Sequence, residues 1–193
     1  MAESADSLSP SDHLLRTLAS VPVSSSVLDL GCGEGRHTEP LLRLGFPVHA
    51  CDPEPAAVDA TRDAIRSLVG DETADTCVQA RPLGELTSID ESFDWIVADR
   101  VERYASSADE LTTLLHAARD LLSPGGWLFV TIPATDSSDQ SGAPAGLVVS
   151  EEQLDRCREE AGLEVANAPS KIDDTSPPRL RALYRRVDPK TPA

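Results

Sequence analysis

One stretch limits what this chain can fold into more than any other: Val27-Leu28-Asp29-Leu30-Gly31-Cys32-Gly33-Glu34-Gly35. A short apolar run passes directly into a glycine-rich turn, and helical periodicity follows. Val27, Leu28 and Leu30 have the pattern of a strand buried in a parallel sheet. The three glycines remove side chains where a ligand or the next helix must approach the backbone. Exposed N–H groups in such a turn, with a helix N-terminus behind them, favour an anionic ligand group. Many strand-to-helix turns need glycine for steric reasons alone, so the turn by itself reads either way.

Three details narrow it. The spacing is G-x-G-x-G, which brings Gly35 one residue early for the G-x-G-x-x-G dinucleotide fingerprint. Asp29 stands at the C-terminal end of the strand, where a carboxylate repels a pyrophosphate and attracts an ammonium or sulfonium. Asp52 ends the next apolar run, 21 residues after Gly31, close to the offset of about 20 at which an acid accepts bonds from ribose hydroxyls. Each carboxylate also has a structural alternative: Asp29 holding the turn through backbone N–H groups, Asp52 capping a helix. Together they describe a pocket for a nucleoside with a cationic amino-acid tail.

This stretch resembles the first motif of the class I S-adenosylmethionine-dependent methyltransferases, V-L-D-L-G-C-G-x-G, and further motifs follow in family order. His49-Ala50-Cys51-Asp52 resembles the second strand with its ribose-binding acid. Phe93-Asp94-Trp95-Ile96-Val97-Ala98-Asp99 resembles the fourth strand, and Leu122-Ser123-Pro124-Gly125-Gly126-Trp127-Leu128 the turn into the fifth. The resemblance implies a Rossmann-like doubly wound sheet of about seven strands, mostly parallel with an antiparallel edge strand, and helices on both faces. It implies S-adenosylmethionine as methyl donor and S-adenosylhomocysteine as product. The cofactor-binding set it implies is Asp29, Gly31, Cys32, Gly33, Gly35, Asp52, Pro53, Ala80, Arg81, Asp99 and Arg100. Asp29 falls near the ammonium, Asp52 on the ribose, and Asp99 with Arg100 beside the methionyl end.

The sequence departs from the family pattern twice. Ala80-Arg81-Pro82 stands where an acid commonly accepts a bond from the adenine amino group, which leaves backbone groups of residues 80–83 for that contact. Arg103 replaces the histidine of a V-L-E-H-like turn and so removes an obvious general base. His37, Glu102, Arg103 and Tyr104 are the substrate-facing candidates, and no residue is assigned as catalytic base. A looser similarity links the layout to compact methyltransferases of tellurite resistance and xenobiotic detoxification.

With 193 residues and 40% hydrophobic content, the composition predicts one domain with a sizeable core; the resemblance covers residues 11–187, between short tails at 1–10 and 188–193. The N-terminus lacks a basic region followed by an apolar one, and no run reaches the roughly 18 residues of a membrane span. A cytoplasmic protein without membrane contact is expected. The four cysteines form no C-x-x-C pair and read as buried, reduced thiols, with no metal site. A formal charge of −16 repels phosphate backbones, which argues against nucleic acid as partner. Only Lys171 and Lys190 are lysines, a pattern fitting either a salt-accumulating cytoplasm or a GC-rich genome.

Along the chain, helices are expected from Ser11, from Thr38 to Leu44 with Gly45 as cap, from Asp52-Pro53-Glu54-Pro55 to about Val69, from Ser107 to Leu122, and from Ser150 to Ala161. Strands are expected at 76–80, 127–132, 163–165 and 180–187, the last two as an antiparallel hairpin. Residues 134–149 form a polar loop, read as a substrate lid or an inert connection. The arginines at 179, 181, 185 and 186 read as balancing acidic neighbours or as an anionic-substrate patch. The resulting functional reading is methyl transfer by direct displacement to a small-molecule acceptor, by a monomer or homodimer. The alternatives are a catalytically silent S-adenosylmethionine-binding module acting through a protein partner, a protein side-chain methyltransferase, and a nucleotide-dependent oxidoreductase.

Overall fold

A computed structural model describes residues 11–135, 147–172 and 178–187. The chain divides into two compact units, residues 1–80 and 81–193. In the first, helix α1 (Asp12–Leu18) precedes strand β1 (Val27–Leu30). There follow α2 (Thr38–Arg43), β2 (Val48–Asp52), α3 (Pro55–Val69), α4 (Asp71–Cys77) and β3 (Val78–Ala80). The three strands are parallel and ordered β3-β2-β1. All four residues of β1 are buried, as in a parallel strand covered on both faces. A core of Cys32, Ala50, Val58, Ile65, Ala74, Cys77 and Val78 fills this unit.

Local chemistry sets the boundaries. Gly45, at φ 95°, donates to Leu42 O at 3.0 Å while Phe46 N donates to Leu41 O at 3.1 Å. That pair of bonds closes α2 through a left-handed residue, which glycine adopts without strain. The strand expected from Thr76 begins at Val78, because residues 71–77 form a helix instead. Only Ala74 and Cys77 of that polar helix are buried, too faint a stripe for periodicity to reveal.

The second unit contains a 3-10 turn (Leu83–Ser88), β4 (Phe93–Ala98), a 3-10 turn (Val101–Arg103), α5 (Ala108–Leu121), β5 (Leu122–Pro133), α6 (Glu151–Glu160), β6 (Glu164–Ile172) and β7 (Arg179–Arg185). Its strands are ordered β4-β5-β7-β6. β4 and β5 are parallel, and β7 runs against both β5 and β6, which gives the expected antiparallel pair at the sheet edge. Among the described residues, seven strands make a mixed, mostly parallel sheet flanked by helices.

In α5, Leu111, Leu114, Leu115 and Leu121 are buried, each worth about 2 kcal/mol of apolar burial. Ser107 Oγ accepts from Glu110 N, but the Glu110 carboxylate answers Ser106 N and Oγ, at 2.7 and 2.6 Å, rather than Ser107. Those bonds hold its carboxyl below the usual carboxylate value. The box at Ser150 and Gln153 is complete. The fifth strand starts five residues earlier than expected, at Leu122, taking Pro124-Gly125-Gly126 into an irregularity opposite Phe93 and Trp95. A Cβ on Gly126 would lie 2.9 Å from Ser123 O and 3.1 Å from Asp94 O, so close backbone approach requires glycine there. Beyond it, Trp127 stacks on Trp95 at 5.6 Å, and the Arg185 guanidinium lies over Trp127.

Ala134 and Val149 pair as a parallel bridge, pinning both ends of the polar loop; residues 136–146, where a lid is expected, lie outside the described residues, as do both tails. Among the described residues, no helix is long and apolar enough to cross a membrane, and no group of three His, Cys, Asp or Glu side chains is arranged to hold a metal. All four cysteines are free and buried.

Candidate functional site

The turn after β1 is built from backbone. Gly31, Gly33 and Gly35 have φ of 90°, 58° and 85°, the left-handed region glycine enters cheaply. Four of its donors are already engaged. Gly31 N and Cys32 N donate to Cys51 O at 2.8 and 3.1 Å, and Gly35 N donates to Cys32 O at 2.9 Å. Gly33 N donates to Asp52 Oδ2 at 3.0 Å. The expectation that the turn's N–H groups stand exposed for an anion is corrected for these four, which β2 and the turn itself consume.

Asp52 is 1% exposed and is not the cap of the following helix, whose N-cap is Glu54. Its Oδ1 accepts from Glu54 N at 3.0 Å, so one carboxylate latches the end of β2 to the glycine turn. Each oxygen retains acceptor capacity. Asp29, equally buried, accepts from Thr38 Oγ1 at 2.6 Å, which fixes the start of α2 to β1. Thr61 of α3 donates to Gly33 O at 2.7 Å and lies 3.4 Å from Cys32 Sγ. Burial, then the Asp29 charge, pushes the Cys32 thiol well above its ordinary value; its side chain is a neutral part of the core. Pro53 is half-buried and Ala80 is exposed at the end of β3. His37 is buried, with Nε2 3.2 Å from Arg36 Nη2.

The turn after β4 is built from side chains. Arg100, at φ 62° and ψ 54°, is the one non-glycine residue with positive φ among the described residues, a conformation costing about 1–2 kcal/mol. Its N–H donates to Thr131 Oγ1 at 3.0 Å, and Thr131 Oγ1 donates to Asp99 Oδ1 at 2.6 Å. Arg179 grips both carboxylate oxygens of Glu102, Nη1 to Oε1 and Nη2 to Oε2, each at 2.7 Å. Glu102 is thus an anchor of the turn and not a free base. Tyr104 is buried and Arg103 exposed, while Arg81 Nη1 donates to Ser88 Oγ at 3.0 Å. Sequence reasoning missed Thr38, Thr61, Thr131 and the role of Arg179, since their partners stand between 9 and 77 residues away and no local pattern marks them.

A family model described as a methyltransferase domain matches residues 28–128, the span holding both turns. The chain belongs to this methyltransferase family. The domain is 34% identical over 149 residues to the mitochondrial ubiquinone biosynthesis O-methyltransferase of Mus musculus, covering 73% of this chain and 38% of that protein. The chain therefore spans well under half the length of that relative. Among solved structures, a S-adenosylmethionine-dependent methyltransferase of Methanosarcina mazei superposes with TM-score 0.71 at 12% identity, covering 92% of this chain and 99% of that one. The N-methyltransferase NodS of Bradyrhizobium japonicum, in complex with S-adenosylhomocysteine, superposes with TM-score 0.70 at 22% identity, covering 91% and 85%. These likenesses establish the class I methyltransferase fold, and the family takes its methyl group from S-adenosylmethionine.

Proposed function

We propose that this domain binds S-adenosylmethionine and transfers its methyl group by direct displacement to a nucleophile on a small molecule. The observation that carries this reading is the glycine turn, where the N–H groups of Gly31, Cys32, Gly33 and Gly35 are consumed internally while Asp29 and Asp52 stand at the ends of adjacent strands. Such a turn suits a ribose and a cationic tail and disfavours a pyrophosphate. We assign Asp52 to the ribose and Asp29 to the amino-acid ammonium, directly or through water. Gly31 to Gly35 surround the tail, with Cys32 contributing only main chain. Pro53, Ala80 and Arg81 border the nucleoside, and Asp99 with Arg100 serves the methionyl end.

When bound, the cofactor supplies an already activated methyl group. The chain's own part is to hold the partners in line and exclude water, a contribution of about 7–11 kcal/mol. With Glu102 tied to Arg179 and arginine at position 103, the reading favours an acceptor that brings its own reactive lone pair: an acidic hydroxyl, an amine or a thiolate. The name of the mouse relative, an O-methyltransferase, supports oxygen. The same proposal places residues 11–187 in one domain, in the cytoplasm of a cell whose salt its acidic surface matches, as a monomer or homodimer without nucleic-acid partners.

Incubation with S-adenosylmethionine and panels of catechols, phenols, amines and thiols, followed by S-adenosylhomocysteine release, tests it; turnover with any small acceptor is expected. The engaged Glu102 also favours a second reading, a silent cofactor-binding module. Cofactor binding with no turnover on any acceptor, protein included, together with a stable protein partner, would select that reading instead.

A further inference from the structure

We propose that Arg179, the first residue of β7, is a positioning residue for the turn at Asp99 and Arg100; the inference rests on assigning that turn to the methionyl end of the cofactor. Arg179 is 9% exposed, and a guanidinium so deeply placed is tolerated only when paired with good geometry. Its fork supplies that geometry to Glu102 and a longer contact to Thr131. Both terminal nitrogens bind Glu102, in the turn after β4, and Nη2 also lies 3.4 Å from Thr131 Oγ1.

The second contact matters because of hydroxyl valence. Thr131 Oγ has one proton and two lone pairs. Arg100 N donates to it at 3.0 Å and Arg179 Nη2 approaches as a second donor, so its lone pairs are spoken for. Its single proton is then directed to Asp99 Oδ1, at 2.6 Å. Arg179 therefore acts on Asp99 through Thr131 and on the left-handed Arg100 turn through Glu102. A lysine cannot replace it, since an ammonium is a point donor without the planar fork. Two donors on one hydroxyl and a bidentate grip on one carboxylate specify the orientation of the turn, and orientation is what an in-line transfer requires.

The test is calorimetric titration with S-adenosylhomocysteine, alongside melting temperature, for the wild type, Arg179→Lys, Arg179→Ala, Thr131→Val, the double variant Arg179→Ala/Thr131→Val, and Arg186→Ala. The last is a control: Arg186 Nη1 donates to carbonyls of Arg119, Asp120 and Leu122, at the far end of β5. We expect Arg179→Ala to weaken binding about tenfold, as for loss of charge-assisted bonds, and Arg179→Lys to recover only part of it. The double variant should lose less than the product of the single losses, since the residues act as a unit. Arg186→Ala should lower the melting temperature and leave affinity unchanged. Folded Arg179→Ala, or folded Arg179→Lys should the alanine variant not fold, binding as the wild type does overturns the assignment while the cofactor reading stands. A folded wild type that binds no S-adenosylhomocysteine overturns both.

Discussion

The turns after β1 and β4 both hold polar groups at the end of a parallel strand, and they do so by opposite means. The first uses main chain: three left-handed glycines, N–H groups donated to Cys51 O, and one carboxylate, Asp52, closing the ring. The second uses side chains: a threonine hydroxyl, an arginine fork, and a non-glycine residue forced into the left-handed region. A backbone solution is local, so it leaves a contiguous motif. A side-chain solution reaches across 32 and 77 residues and leaves none.

The largest effect expected from disturbing either solution is at the latch of the first. Asp52→Ala strands the buried N–H of Gly33 and the part-buried N–H of Glu54, and the two losses together should cost about 3 kcal/mol in urea unfolding. A loss below about 1 kcal/mol would mean the carboxylate is not a latch. Next come two glycines that fail for different reasons. Gly126→Ala drives a Cβ to 2.9 Å from a fixed carbonyl and should cost about 2 kcal/mol. Gly35→Ala meets only ordinary contacts, at 3.5 Å from Ala64 Cβ and Thr61 Cγ2, so its cost is the positive φ alone, about 1 kcal/mol. The reverse ranking in paired denaturation curves would refute the steric account of Gly126. Thr61→Val, nearly isosteric, deprives Gly33 O of its donor and should cost about 1 kcal/mol; an unchanged midpoint would show that Thr61 does not support the turn.

The smallest effect belongs to both units. Burial raises the Cys32 and Tyr184 acid groups above their ordinary values, so the unfolded chain releases these protons first as pH rises. Stability from this source is full below the ordinary thiol value of 9.0 and declines above it. Melting temperature should be level near neutrality and fall in alkali, with the native thiols resisting alkylation. Stability that rises through the same alkaline range, or rapid labelling of the native protein, would contradict the burial of Cys32.

Legibility in the sequence follows the same division. The strands around the glycine turn, and the places of Asp29 and Asp52 at strand ends, are legible because glycine spacing and apolar runs are local consequences of backbone geometry; the doubly wound sheet follows from the family resemblance. Four of the donors expected to be free in that turn are bonded, because a sequence gives the N–H groups but not that Cys51 O, Cys32 O and Asp52 meet them. Helix α4, with only two buried residues, leaves too faint a stripe for periodicity to show, and Pro124-Gly125-Gly126 has the pattern of a break and not of a bulge that a neighbouring strand accommodates. Glu102 matches the acidic position of a V-L-E-H-like turn, but its pairing with Arg179, 77 residues further along the chain, has no local sequence signal.

The central claim is a pocket for a nucleoside with a cationic tail and not for a dinucleotide. Titration of the folded wild type with S-adenosylhomocysteine and, separately, with NAD addresses it directly. The account predicts micromolar binding of the first, weakened in Asp52→Ala, and no measurable binding of the second. Preference for NAD, or no binding of S-adenosylhomocysteine by folded protein, would contradict it.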